Sequence, residues 1–197
     1  MPQPVPGQPH ALCGHNTSRA KRERPGSVGH GCAAHSFAKT RPGYDAETAL
    51  FNAAAVLGEK LTACRLRQIA DVVHYLDEQN GYERVVFVGQ GPGALLALLA
   101  AALLPKARGA ALLETQLSFD ALFEADYYFA PETAFETGLL RLCDLPDLAK
   151  LAGRVCAFTP KNPAGGSLAP HTPTPIPARW EKDALSAAAE WLEDKLC

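Results

Sequence analysis

The sequence lacks the marks of several common protein classes. Its six cysteines contain no C-x-x-C pair, and they are too few and scattered for a disulfide scaffold. The formal net charge is only −2, so bulk charge does not predict a nucleic-acid-binding protein. The longest apolar run, Ala94 to Leu104, has 11 residues, whereas a membrane span needs about 20. No apolar signal-peptide region opens the chain, so we expect a cytoplasmic protein by default.

The near-zero net charge hides a difference between two parts of the chain. Residues 1–43 hold six basic residues and one acid, with six prolines and six glycines, whereas residues 44–197 hold 13 basic and 20 acidic residues. The first part cannot bury enough apolar surface to offset the entropy of ordering it. The composition therefore predicts a disordered basic tail, residues 1–43, before a globular domain, residues 44–197. His and Cys in this tail match no familiar zinc spacing, so no metal site is predicted.

Within the globular part, hydrophobic periodicity predicts alternating helices and strands. The predicted order is a helical stretch 45–79 interrupted at Gly58, a strand 85–88, a helix 94–104, a strand 109–113, short helices and loops 118–152, a strand 155–158, a loop 161–177 and a helix 183–196. The strands are apolar without polar alternation, which is typical of strands buried on both faces of a parallel sheet. The sequence therefore predicts an α/β fold, with a partial parallel sheet flanked by helices.

The turn after the first of these strands, Gly89-Gln90-Gly91-Pro92-Gly93, carries the main functional signal. One hypothesis is a dinucleotide-binding module, because Gly89, Gly91 and Ala94 fit the pattern G-x-G-x-x-G/A. Glu114 ends the next strand, close to where a ribose-binding acid belongs. Under this hypothesis the backbone of the turn and the carboxylate of Glu114 would bind NAD or FAD.

A second hypothesis interprets the same turn as a nucleophile elbow, G-x-S-x-G, in which a strained turn raises the central side chain above the sheet. Gly89 and Gly93 occupy the flanking glycine positions, but the central residue is Gly91. Glycine has no side chain, so no acyl-enzyme can form there. Ser118, after the second strand, is a weaker nucleophile candidate because it lacks an elbow.

A longer stretch of sequence helps to distinguish the dinucleotide-binding hypothesis from the nucleophile-elbow hypothesis. Residues 138–165 read GLLRLCDLPDLAKLAGRVCAFTPKNPAG, and a W-L pair, Trp191-Leu192, lies in the last helix. In the order of these motifs, residues 60–197 resemble the C-terminal half of α/β-hydrolases of the acetylxylan-esterase-like and dienelactone-hydrolase-like kind. The resemblance implies that Gly91 stands at the nucleophile position and Asn162 at the catalytic acid position. It leaves His171 as the candidate for the histidine, although His171 lies early for that role.

This resemblance predicts a non-catalytic α/β-hydrolase-like domain or fragment, a vestigial esterase with no cofactor. Asn162 cannot supply the negative charge that stabilises an imidazolium, and Gly91 supplies no nucleophile. An active esterase with its chemistry moved to other residues is the alternative, beside the dinucleotide-binding module. Because the early strands of the family have no counterpart in the chain, strand Val85–Val88 is expected to be an exposed edge. We therefore expect self-association, or a partner chain, to cover it.

Overall fold

The structure is a computed structural model that describes residues 10–13, 46–81, 84–128, 136 and 138–196. Its strands are β1 (His10–Cys13), β2 (Val85–Gln90), β3 (Ala107–Leu113), β4 (Arg154–Phe158) and β5 (Ala178–Arg179). Its α-helices are α1 (Ala46–Val56), α2 (Leu61–Asn80), α3 (Pro92–Leu103), α4 (Asp120–Phe123), α5 (Leu145–Ala152) and α6 (Ala184–Leu196), and a 3-10 helix covers Leu139–Arg141.

The strands form one parallel sheet in the chain order β1-β2-β3-β4-β5. Helices α3 and α5 pack on one face of it, against alternate strand residues such as Phe87, Leu112 and Ala157. Helix α6 packs on the other face, against Val88, Leu113, Phe158 and their neighbours. The α/β prediction is therefore confirmed, because burial on both faces is what the unbroken apolar strands require.

The helical stretch before β2 divides where the sequence predicts. Gly58 has φ +73° between α1 and α2, a conformation that residues with a Cβ rarely adopt. Gly81 ends α2 in the left-handed region, and its backbone N–H donates to the carbonyl oxygen of Asp77 at 2.7 Å. Among the described residues, no helix is both long and apolar enough to cross a membrane.

The buried face of α6 differs from the expected one. The sequence pattern predicts that Leu185, Ala188, Ala189, Leu192 and Leu196 share the buried face. Ala188 is buried as predicted, but Leu185 is 52% exposed and Trp191 is buried instead. The ring of Trp191 meets that of Phe158 edge to face, with the two centroids 6.2 Å apart. This aromatic contact with β4 turns the helix so that Trp191, and not Leu185, faces the sheet.

The prediction of a bare edge at Val85–Val88 is wrong in this structure. Strand β1 lies parallel to β2, with His10 opposite Val85 and Cys13 opposite Val88. Four residues of the stretch expected to be disordered thus pair with β2, and three of these four, Ala11, Leu12 and Cys13, are apolar although the stretch as a whole is not. The rest of residues 1–43 lies outside the described part of the chain.

Removal of β1 should expose the edge of β2 that it covers. A chain that lacks residues 1–13 is expected to self-associate through β2, whereas a control chain that lacks only residues 1–9 keeps β1 and should stay monomeric. Size-exclusion chromatography with light scattering measures both masses as a function of concentration. The same oligomeric state for both chains would show that β1 does not protect β2.

One charged contact joins α1 to α2 inside the fold. Arg65 is 2% exposed, and its guanidinium donates two hydrogen bonds to the carboxylate of Glu47, at 2.5 and 2.6 Å. The fork geometry matches both carboxylate oxygens, so the pair fixes the angle between the two helices. Nothing in the apolar periodicity of the sequence indicates that a buried position carries arginine.

We expect Glu47→Gln to lower the free energy of unfolding by about 2 kcal/mol, because it leaves a buried guanidinium without its counter-charge. Glu59→Gln is the matched control, since Glu59 pairs with Arg67 in solvent, with both side chains at least half exposed. That change should leave stability almost unaltered. Urea titration followed by circular dichroism compares the two variants, and similar losses would contradict a special role for the buried pair.

Candidate functional site

Three consecutive strands end in the same unusual way at the carboxyl edge of the sheet. The residues that directly follow β2, β3 and β4 are Gly91, Glu114 and Thr159, with φ of +54°, +48° and +49°. Positive φ is uncommon for residues other than glycine, and for the β-branched Thr159 it is an outlier. Backbone strain of this kind clusters at functional sites, and ligands of parallel sheets bind at this edge.

A repeated hydrogen bond holds each of these residues. The backbone N–H of Gly91 donates to the carbonyl oxygen of Leu113, the last residue of β3, at 3.0 Å. Likewise, Glu114 N–H donates to Phe158, the last residue of β4, and Thr159 N–H donates to Arg179, the last residue of β5. The backbone hydrogen bonds between neighbouring strands therefore continue for one residue beyond β2, β3 and β4. These bonds hold the three positive-φ residues in fixed positions relative to one another.

The turn between β2 and α3 has the backbone of an elbow. Gly91 has φ +54° and ψ −123°, close to the first central position of a type II′ turn. Its carbonyl oxygen accepts a hydrogen bond from the N–H of Ala94 at 3.0 Å, and Pro92 begins α3. A Cβ built on Gly91 meets no heavy atom within 4 Å. Position 91 therefore borders open space and has a backbone conformation that residues with a Cβ rarely adopt.

Gly89 brings strand and helix together at backbone distance. A Cβ on Gly89 would overlap the carbonyl oxygen of Gly93 and lie 2.7 Å from the Cα of Ala94. A Cβ on Gly93, in contrast, meets nothing within 4 Å. Glycine is required at position 89 for close approach, and its presence at position 93 has no comparable steric reason.

Gln90 and Glu114 meet at the rim of the turn. The side-chain amide of Gln90 donates to a carboxylate oxygen of Glu114, with the two atoms 2.5 Å apart. This contact places Glu114 beside the glycine turn, as the dinucleotide hypothesis needs, but the carboxylate already has a partner. Moreover, the described strands follow chain order, so the order does not reverse at β2 as it does where dinucleotides bind. Binding through Gly89, Gly91, Ala94 and Glu114 stays a prediction that this topology does not favour.

Asn162 closes the loop after β4. Its side-chain oxygen accepts the N–H of Gly166 at 3.0 Å, and its backbone N–H donates to the carbonyl oxygen of Gly166 at 2.8 Å. The amide oxygen at the expected acid position thus shapes the loop. An amide also has no charge with which to orient an imidazolium.

His171 does not stand where a triad histidine belongs. It is exposed, with φ +72°, and it precedes β5, whereas the resemblance needs a histidine after the last strand. The sequence from residue 180 to 197 contains no histidine. Among the residues that the structure describes, it joins His171 to neither Gly91 nor Asn162 by a hydrogen bond or ion pair.

Ser118, the other nucleophile candidate, has structural partners. The hydroxyl of Ser118 donates to the carboxylate of Asp144 at 2.5 Å and accepts the N–H of Ala121 at 3.2 Å, beside α4. Asp144 also caps α5, since its carboxylate accepts the N–H of Leu145 at 2.7 Å. Cys156 is buried in the sheet, and this burial raises the pKa of its thiol, which keeps it unreactive.

A cleft of about 160 Å³ opens between the segment that follows β3 and the loop that follows β4. Its lining includes Ser118, Lys161 and Asn162, but none of residues 89–93. Sequence patterns did not indicate this cleft, because its two walls are more than 35 residues apart in the chain. Within the described residues, no cluster of three His, Cys, Asp or Glu side chains offers a metal site.

Comparison of the chain with models of protein families, with curated proteins and with solved structures finds no match in any of the three. The function must therefore be inferred from the geometry of the chain itself.

The two turn glycines give a matched test of the elbow. Gly89→Ala should lower the free energy of unfolding by about 3 kcal/mol, because the new methyl group overlaps the backbone of α3. Gly93→Ala should leave it unchanged or raise it by up to about 1 kcal/mol, since alanine favours the helix. Chemical denaturation measures both. A mild effect at position 89 would mean that strand and helix do not meet at backbone distance.

Proposed function

We propose that this chain is a non-catalytic α/β-hydrolase-like domain, which binds a ligand at the carboxyl edge of its sheet without transforming it. The observation that carries the proposal is Gly91. Its backbone has a positive φ at the centre of a strand-to-helix turn, as a nucleophile elbow requires, and the space that a side chain would enter is open. This geometry supports a hydrolase-like turn whose nucleophile position holds glycine.

The surrounding elements support a hydrolase-like origin of this turn. The elbow lies between a strand within a parallel sheet and a helix whose residues 94–101 are buried. The helix at the end of the chain packs on the opposite face from α3 and α5. The expected acid position follows β4, as the resemblance implies, although an amide occupies it.

The chemistry argues against acyl transfer at this turn. Hydrolases of this kind need a nucleophile, a histidine base and an orienting carboxylate as a unit, and loss of any triad member leaves only about 10³–10⁴-fold catalysis over water. Here Gly91 offers no nucleophile and Asn162 no charge. What the strained edge still provides is a preorganised surface, which is useful for binding.

An active esterase would need another nucleophile, and Ser118 beside Asp144 is the closest arrangement to one. Its hydroxyl, however, bonds directly to a carboxylate that also caps a helix, and no histidine lies between them to accept and return the proton. The arrangement therefore favours the non-catalytic domain over an active esterase.

A fluorophosphonate probe separates these proposals. The full chain should show no labelling, and it should not hydrolyse p-nitrophenyl acetate above the buffer rate. Labelling that disappears in Ser118→Ala would overturn the proposal in favour of an active esterase. Saturable binding of NAD that is lost in Gly91→Val would favour the dinucleotide-binding module.

The elbow itself can be probed with a thiol. Gly91→Cys should fold with a loss of about 1–3 kcal/mol from backbone strain, and its new thiol should react rapidly with iodoacetamide. Buried Cys156 supplies an internal control, which should stay unmodified in the same sample. Mass spectrometry of tryptic peptides measures both rates. Slow reaction at position 91 would show that the position is closed, contrary to the proposed elbow.

A further inference from the structure

The cleft between the segment after β3 and the loop after β4 has the form of a small binding site. Its volume of about 160 Å³ is close to that of an engineered cavity that binds benzene. It lies beyond the carboxyl ends of β3 and β4, the edge at which parallel sheets bind ligands. Residues 89–93 do not line the cleft, so binding there does not require a side chain at position 91.

The floor of the cleft is apolar and firmly held. Leu117 and Leu122 are 6% and 3% exposed and belong to the main hydrophobic core. Leu168 and Pro163 add further apolar surface from the loop after β4. A ligand that enters the cleft therefore meets a preformed hydrocarbon surface, which favours a flat or short apolar body.

Besides the hydroxyls of Ser118, Thr172 and Thr174 and the amide of Gln116, the lining offers two nitrogen donors. Lys161 is the one charged residue in the lining, and no carboxylate of the described residues forms an ion pair with it. Its backbone is fixed, since its N–H donates to the carbonyl oxygen of Thr115 at 2.9 Å. The side-chain oxygen of Asn162 accepts Gly166 N–H, so the amide NH₂ is left as a second donor, with no hydrogen-bond partner among the described residues.

Asp144, which accepts a hydrogen bond from Ser118 of the lining, forms no ion pair with Lys161. The carboxylate of Asp144 accepts the hydroxyl of Ser118 and the N–H groups of Phe119 and Leu145. Asp144 does not line the cleft. An anion in the cleft would therefore meet an ammonium group and an amide, with the competing carboxylate occupied by donors of its own.

We propose that this cleft binds a small monocarboxylate with an apolar body of about six carbons. The body packs on Leu117, Leu122 and Leu168, and the carboxylate accepts from the ammonium of Lys161 and the amide of Asn162. The apolar lining excludes a strongly hydrated anion such as phosphate, and the ammonium distinguishes a carboxylate from its neutral amide.

Benzoate and benzamide are the matched probes, since they share size and shape and differ in charge. Titration of the ¹⁵N-labelled full chain with benzoate should shift the amide signals of Leu117, Leu122 and Leu168 in a saturable way. Benzamide should bind about tenfold more weakly or not at all, because it lacks the charge-assisted bonds. Inorganic phosphate should not compete.

Lys161→Met keeps the length of the side chain and removes its charge, and it should weaken benzoate about tenfold. Lys150→Met is the control, because Lys150 is exposed on α5 and pairs with Asp147 at 2.9 Å, outside the cleft. It should leave benzoate binding unchanged, and thermal unfolding confirms that both variants are folded.

Three results would overturn the proposal: equal affinity for benzoate and benzamide, unchanged benzoate affinity in Lys161→Met, or shifts confined to residues away from the cleft. None of them bears on labelling at the elbow, so failure of this inference is distinguishable from failure of the proposed function.

Discussion

The close approach of Gly89 to the carbonyl of Gly93 is the constraint on which the rest of the molecule depends. It allows the backbone at the start of α3 to contact the backbone at the end of β2, so the turn between them is tight. Gly91 then has to adopt a positive φ to reverse the chain. Since α3 is the most deeply buried helix, this one contact sets how the helix lies on the sheet and where the carboxyl edge opens.

Much of the fold could be predicted from the sequence, because its main elements carry strong local signals. Val85–Val88 is apolar at every position, and Ala94 to Leu104 is a run without any polar residue, so burial of both follows from composition. Strands β1 and β5 were missed because four and two residues give no periodicity, and their pairing depends on neighbours remote in the chain. The rotation of α6 was missed for a similar reason, since Trp191 is buried by Phe158, 33 residues earlier.

In the candidate site, local features could be predicted from the sequence, whereas contacts between remote residues could not. The glycine-rich turn after β2 could be predicted directly, because the spacing of Gly89, Gly91 and Gly93 is local. The positive φ of Glu114 and Thr159 could not, since these residue types avoid that conformation and only the inter-strand hydrogen bonds enforce it. Likewise, the contact of Ser118 with Asp144 joins residues 26 apart, and no motif links them.

The short strand β5 has a consequence for how the sheet meets other chains. It contains only Ala178 and Arg179, and it follows Pro175 and Pro177. Proline has no backbone N–H with which to bond to a strand from another chain. The outer flank of β5 is therefore a poor template for intermolecular β-pairing, much as proline and brevity protect natural edges against amyloid-like growth. At the opposite border, β1 has only four residues and Pro9 directly precedes it, so brevity and proline limit the addition of further strands at both borders of the sheet.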